Sequence, residues 1–141
     1  MAAAGAAAAA AGVGTLLPVD GPLDGATDFD FRTPRPIGSL VLDDCFTTLD
    51  RGDDGLARVG LSDPASGRSV SMWMDASYRY VQVFSGDTLP AARRRRGLAI
   101  EPMTCPPNAF RTGTDLIVLQ PDETCSIAWG LAPTLPVLTK P

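Results

Sequence analysis

The stretch LARVGLSDPASGRSVSMWMD (residues 56–75) decides the fold, because two apolar runs in it flank a segment rich in turn formers. In the second run, Val70, Met72 and Met74 occupy every other position, with serines and a tryptophan between them. A period of two is typical of a strand with one buried face. We therefore predict two strands, Leu56–Leu61 and Ser69–Asp75, joined by the turn SDPASGR.

Strand patterns of the same kind recur along the chain. YVQVFSGD (residues 80–87) places Val81 and Val83 on one face and Gln82 on the other. Near the end, DLIVLQ and TCSIAWGL are separated by the turn residues 121–123, which predicts a hairpin. With 14 glycines and 13 prolines among 141 residues, the composition favours short strands joined by tight turns over a helical bundle. The predicted fold class is mainly β, with an antiparallel sheet.

Charge and composition exclude several classes of function. The net charge of −4 argues against a nucleic acid or an anionic membrane as the partner, since phosphate binding needs a basic face. The run Arg93–Arg96 is the exception, and we interpret it as a solvated loop or a partner for surface acids. Three cysteines without CxxC spacing indicate a reducing compartment and no zinc site. The chain has no histidine, which removes the commonest general acid and metal ligand.

The N-terminal segment MAAAGAAAAAAGVG (residues 1–14) differs in composition from the rest. We predict that it is a disordered tail, because short alanine helices are marginal in water. It has no positive charge before Arg32, so a secretory signal is not expected, and no stretch is apolar enough to predict a membrane span. Residues 15–141 are predicted to form the packed domain.

Three polar positions are candidates for chemistry. In GLAIEPMTCPPN (residues 97–108), strand alternation puts Leu98 and Ile100 on one face and Glu101 on the other, and the following proline keeps Glu101 extended. Glu101 is then either a solvated strand-end carboxylate or a partly desolvated general base. The pair Asp43–Asp44 makes local backbone hydrogen bonds, binds sugar hydroxyls, or divides the acid and base roles of a reaction. Gln82 is either a solvent-facing amide or a polar contact among aromatic side chains.

Six motifs in order carry a resemblance that covers residues 16–131. They are LLPVDG…DFDFRTPRPIG, LDDCFTTL, ASGR, YVQVFSGD, GLAIEPMTCPPNAF and LIVLQPDETCSIAWGL. Together they resemble the C-terminal portion of the aldose 1-epimerase (galactose mutarotase) family, most closely its actinobacterial-type members. The resemblance implies an antiparallel β-sandwich, the mutarotase supersandwich, of which this chain holds the C-terminal part.

The resemblance also implies a reaction. Family members interconvert the α and β anomers of free hexoses without a metal or organic cofactor. A glutamate takes the proton of the anomeric hydroxyl while a histidine protonates the ring oxygen; the ring opens, turns about C1–C2 and closes. By motif match the base is Glu101, and Asp43 and Gln82 are contacts to the sugar. The family's two active-site histidines lie in its N-terminal half, and this chain has no histidine.

We therefore expect an isomerase of the aldose 1-epimerase type whose activity is impaired. Its partner is expected to be a small aldohexose, in the cytoplasm and within carbohydrate metabolism. The alternatives are a non-catalytic carbohydrate-binding or interaction module and a non-functional gene fragment.

Overall fold

The computed structural model describes residues 29–134 and the backbone of three short strands that precede them. Ten strands and one short helix are present in these parts of the chain. They are β1 (Ala2–Ala3), β2 (Ala7–Ala11), β3 (Pro18–Pro22), β4 (Arg35–Pro36), β5 (Asp43–Thr47), β6 (Ala57–Asp63), β7 (Arg68–Met74), β8 (Tyr80–Phe84), β9 (Ala99–Met103), α1 (Ala109–Thr112) and β10 (Trp129–Thr134). The predicted mainly β, antiparallel class is confirmed.

The strands form two five-stranded sheets. The first has the order β10-β7-β6-β1-β4 and the second has the order β3-β2-β5-β8-β9. Side chains from both sheets meet in one apolar core, so the sheets pack face to face as a sandwich. Within the alanine-rich segment, β1 and β2 each pair with neighbouring strands, and its other residues lie outside the described parts. The disordered tail stays a prediction.

The predicted hairpin in residues 56–75 is confirmed. Strands β6 and β7 pair in register from Ala57 opposite Met74 to Asp63 opposite Arg68. The Asp63 carboxylate accepts hydrogen bonds from the Ala65 N–H and the Ser66 hydroxyl, which closes the turn. Alternation along β7 buries Met72 and Met74, as the sequence pattern predicts.

The predicted hairpin near the C-terminus is wrong. Residues 115–128 form no strand, and β10 pairs with β7 along its whole length instead. Trp129 and Leu131 lie opposite Met74 and Met72, so β10 continues the apolar face of the first sheet. The edge of β7 that β6 leaves free takes all six residues of β10, so the backbone of β10 is paired there and not with the run DLIVLQ. Gly130 is required there, because a Cβ atom would lie 2.7 Å from the Trp73 ring.

The core lies between the inner faces of the two sheets. Phe46 from the second sheet, Met74 from the first and Leu42, just before β5, are among the most fully buried side chains. Phe31 packs edge-on against Phe46, with 6.1 Å between the ring centroids. These residues hold β5 and β8 against the first sheet, so the other face of β5 and β8 points away from this core.

We predict that Phe46→Ala lowers the free energy of unfolding by about 3–5 kcal/mol, because it removes a buried aromatic ring and leaves a cavity. The matched control is Phe110→Ala in α1, since Phe110 is 93% exposed and its loss should change stability by less than about 0.5 kcal/mol. Urea unfolding followed by tryptophan fluorescence measures both. Equal effects of the two substitutions would contradict this placement of the core.

Candidate functional site

Three neighbouring strands of the second sheet bring the predicted site residues onto one face. Cys45 of β5, Gln82 of β8 and Glu101 of β9 lie opposite one another in the antiparallel ladders. Directly paired residues point to the same side of a sheet, and so do residues two apart on one strand. Asp43 therefore shares this face with Gln82 and Glu101. We call these three residues the polar row.

A hydrogen bond joins the first two members of the polar row. Gln82 Nε2 donates to Asp43 Oδ1 over 2.9 Å. An ionised carboxylate only accepts hydrogen bonds, so the Gln82 amide must present its NH₂ group to Asp43. Its Oε1 atom then points elsewhere, is buried, and has no hydrogen-bond partner among the residues that the structure describes. A buried acceptor without a donor is costly, so this atom marks a place where a donor from a ligand would be stabilised.

Glu101 is exposed and lies on β9, the outer strand of its sheet among the described strands. This exposure agrees with the interpretation of Glu101 as a solvated carboxylate at a strand end, and its role as a general base stays a prediction. The side chain nevertheless lies in register with Gln82, on the same face. Pro102 follows it and pairs with Val81.

The two aspartates of the Asp43–Asp44 pair have different environments. Both belong to β5, and their side chains alternate between its faces. Asp44 is buried, at 7% exposure, and its Oδ2 accepts the backbone N–H of Asp43. Asp43 joins Gln82. Asp44 thus makes the local backbone hydrogen bond, and of the two aspartates only Asp43 belongs to the polar row.

An apolar cluster adjoins the polar row on the same face. It contains Cys45 and Tyr80, both buried, with Met103 packed against them. Burial raises the pKa of the Cys45 thiol to about 12, so the thiol is protonated at neutral pH. Burial, together with a hydrogen bond to Asp115, raises the pKa of the Tyr80 hydroxyl to about 12. This face therefore carries the hydrogen-bonding groups of the polar row beside a neutral, buried apolar cluster.

The comparison with protein families shows to which family the chain is related. The family described as aldose 1-epimerase matches residues 15–129.

This chain belongs to the aldose 1-epimerase family.

A curated relative, "Uncharacterized protein YihR" of Escherichia coli (strain K12), is 38% identical over 93 residues. That match covers 66% of this chain and 27% of the relative, so the chain spans about a quarter of the length of the curated relative that it matches. No solved structure matches the chain. The resemblance found in the sequence is thereby confirmed at the level of the family.

Sequence reasoning missed one group of residues in this epimerase-family chain. Ser85, Asp87 and Arg95 lie in the loop between β8 and β9 and are joined by hydrogen bonds. The arginine run indicated only a surface partner, and Arg95 does form an ion pair with Asp87, at 2.9 Å. What the run could not indicate is that this one arginine also donates hydrogen bonds to a segment more than 50 residues away.

Among the described helical residues, no helix is long and apolar enough to cross a membrane.

We predict that native Cys45 resists alkylation while Cys125 reacts readily. Cys45 is buried with a pKa of about 12, whereas Cys125 is exposed, and only the thiolate is nucleophilic. Iodoacetamide labelling at pH 8, followed by peptide mass mapping, measures both rates, and labelling in urea is the control for accessibility. Equal native labelling of the two thiols would place Cys45 outside the cluster.

We predict that the stabilising effect of Asp87 is lost in acid. Hydrogen bonds from the Ser85 hydroxyl and the Arg95 guanidinium lower the pKa of Asp87 below its usual value. A carboxylate with a lowered folded-state pKa stabilises the fold above the unfolded-state pKa, near 3.9, and this contribution disappears as the pH falls through the folded-state pKa. Wild type should exceed Asp87→Asn in urea stability at pH 6, and the difference should shrink steadily below about pH 4. A difference independent of pH would show that the charge is not involved.

Proposed function

We propose that this chain provides the base and two sugar contacts of an aldose 1-epimerase site, with Glu101 as the base and Asp43 and Gln82 as the contacts. The observation that carries the proposal is the polar row, in which the three residues share one face and Gln82 Oε1 is a buried acceptor with no donor in the described part of the chain. A sugar hydroxyl is both a donor and an acceptor. It can donate to Gln82 Oε1 while other hydroxyls donate to Asp43 and Glu101.

The chemistry assigned to Glu101 is general-base catalysis of ring opening. Its carboxylate removes the proton of the anomeric hydroxyl, the C1–O bond to the ring oxygen breaks, and the electron pair of that bond goes to the ring oxygen. The ring oxygen must then receive a proton. Rotation about C1–C2 and closure on the opposite face of the carbonyl give the other anomer, and both protons are returned. Exposure leaves Glu101 accessible to a sugar hydroxyl.

Proton donation to the ring oxygen is the step for which the chain offers no histidine. The pKa values of the Tyr80 hydroxyl and the Cys45 thiol are raised to about 12, so both are poor acids at neutral pH. Neither side chain of the apolar cluster is therefore suited to supply this proton. Absence of a positioned general acid costs about 10²–10⁴-fold in rate, which is the physical basis for proposing that the isolated chain is impaired.

A second candidate is a carbohydrate-binding module without turnover. It is favoured by the same combination, namely hydrogen-bonding groups arranged for a sugar and no histidine to serve as the acid. Binding and catalysis are therefore measured separately.

We predict that the 141-residue chain binds an aldohexose but accelerates mutarotation little above the buffer rate. Polarimetry of freshly dissolved α-D-glucose and α-D-galactose measures turnover, and calorimetry with the same sugars measures binding. Gln82→Leu should weaken binding, because it removes the acceptor and frees Asp43 of its donor. Glu123→Gln, in an exposed turn remote in sequence from the polar row, is the control for Glu101→Gln.

The outcomes separate the proposals. A clear rate above buffer that is lost in Glu101→Gln and kept in Glu123→Gln would support Glu101 as base and contradict the impairment. Saturable binding without turnover supports the binding module. The absence of both binding and turnover would overturn the proposal of a sugar site in this chain. The alternative of a non-functional gene fragment would then remain.

A further inference from the structure

Arg95 differs from the other three arginines of its run. It is half-buried, whereas Arg93, Arg94 and Arg96 are exposed. Its Nη1 atom donates to the Leu40 carbonyl oxygen over 3.1 Å and to the two Asp87 carboxylate oxygens over 2.9 and 3.1 Å. Its Nη2 atom donates to the Gly38 carbonyl oxygen over 2.6 Å. One guanidinium thus bonds to two separate segments of the chain.

Each segment held by Arg95 flanks a strand of the polar row. Residues 38–40 lead into β5, which carries Asp43, and Asp87 follows β8, which carries Gln82. Three residues separate Arg95 from the start of β9, which carries Glu101. Because a planar guanidinium presents several donors in fixed directions, it can hold such segments at a defined separation.

A second layer of hydrogen bonds carries this constraint to the start of β5. The Leu42 N–H donates to Ser85 Oγ over 2.9 Å, and the Ser85 N–H donates to the Leu42 carbonyl oxygen over 2.9 Å. Ser85 Oγ also contacts the Asp87 carboxylate. The network of Arg95, Asp87, Ser85 and Leu42 therefore ends one residue before Asp43. Ser85 is 3% exposed, so these bonds are protected from water.

The backbone of Arg95 is in the left-handed region, with φ of +53°. Residues other than glycine and asparagine rarely adopt this conformation, because the Cβ atom crowds the following carbonyl oxygen. The hydrogen bonds of the guanidinium offset this strain. Asparagine at position 95 would tolerate the same backbone and lack the guanidinium, so Arg95→Asn isolates the role of the side chain.

We propose that Arg95 is a positioning residue for the polar row. It touches no member of the row and acts through the loop between β8 and β9 and through the segment before β5, setting the separation of Asp43, Gln82 and Glu101. The effect on sugar binding rests on the function proposed above. The effect on the geometry of Gln82 is independent of that proposed function.

The test compares Arg95→Asn with two controls in the full chain. Arg93→Asn removes the same charge at an exposed position of the run, and Val59→Ala lowers stability from β6, in the other sheet. The first readout is the pair of Gln82 side-chain amide resonances in a ¹⁵N–¹H spectrum, assigned with Gln82→Leu. The second is the Kd for D-glucose and D-galactose from calorimetry.

In Arg95→Asn we expect the Gln82 side-chain resonances to shift and the sugar affinity to fall about tenfold, the effect of one or two weakened hydrogen bonds. Both controls should keep the Gln82 resonances and stay within twofold of the wild-type affinity. Unchanged Gln82 resonances in Arg95→Asn, or equal shifts in Val59→Ala, would overturn the positioning role. If the wild type binds no sugar, the proposed function fails, and the Gln82 resonances still decide the role of Arg95.

Discussion

The register of β5 against β8 is the constraint on which both the core and the polar row depend. Adjacent residues of a strand point to opposite faces, so the same ladder that buries Phe46 against Val81 places Asp43 beside Gln82 on the other side. A slip of one residue would move the aspartate into the core and the phenylalanine out of it. The reciprocal hydrogen bonds between Leu42 and Ser85 anchor this register where β5 begins. Stability and site geometry therefore come from one strand pairing.

Local patterns predicted the parts of the structure in which partners are close in sequence. The β6–β7 hairpin follows from alternation on either side of a turn, and the same alternation put Gln82 and Glu101 on the faces where the structure places them. The pairing of β10 with β7 was not predictable in this way, since it depends on which distant strand offers a free edge. The network around Arg95 was missed for a similar reason, because two of its acceptors are backbone carbonyl groups that leave no mark on the sequence.

The polar row shows how far a sequence can specify a site. Period-two alternation nominates the residues of a face, and membership of the aldose 1-epimerase family gives those residues a chemical context. Neither defines the orientation of the Gln82 amide, which follows from the acceptor-only character of the Asp43 carboxylate. Burial of each candidate also depends on distant packing, so Asp44 of β5 is buried while Glu101 of β9 is exposed.

Pro102 also limits how β9 can associate. A proline has no N–H to donate, so it fits an antiparallel ladder where its nitrogen faces away from the partner strand. Opposite Val81, it leaves a gap in the row of donors on the outward side of β9. A strand from another molecule that approached this edge would find the row interrupted next to a charged carboxylate, which disfavours growth of a shared intermolecular sheet. The residue that keeps Glu101 extended thus also interrupts the backbone donors of β9, the last strand of this sheet among the described strands.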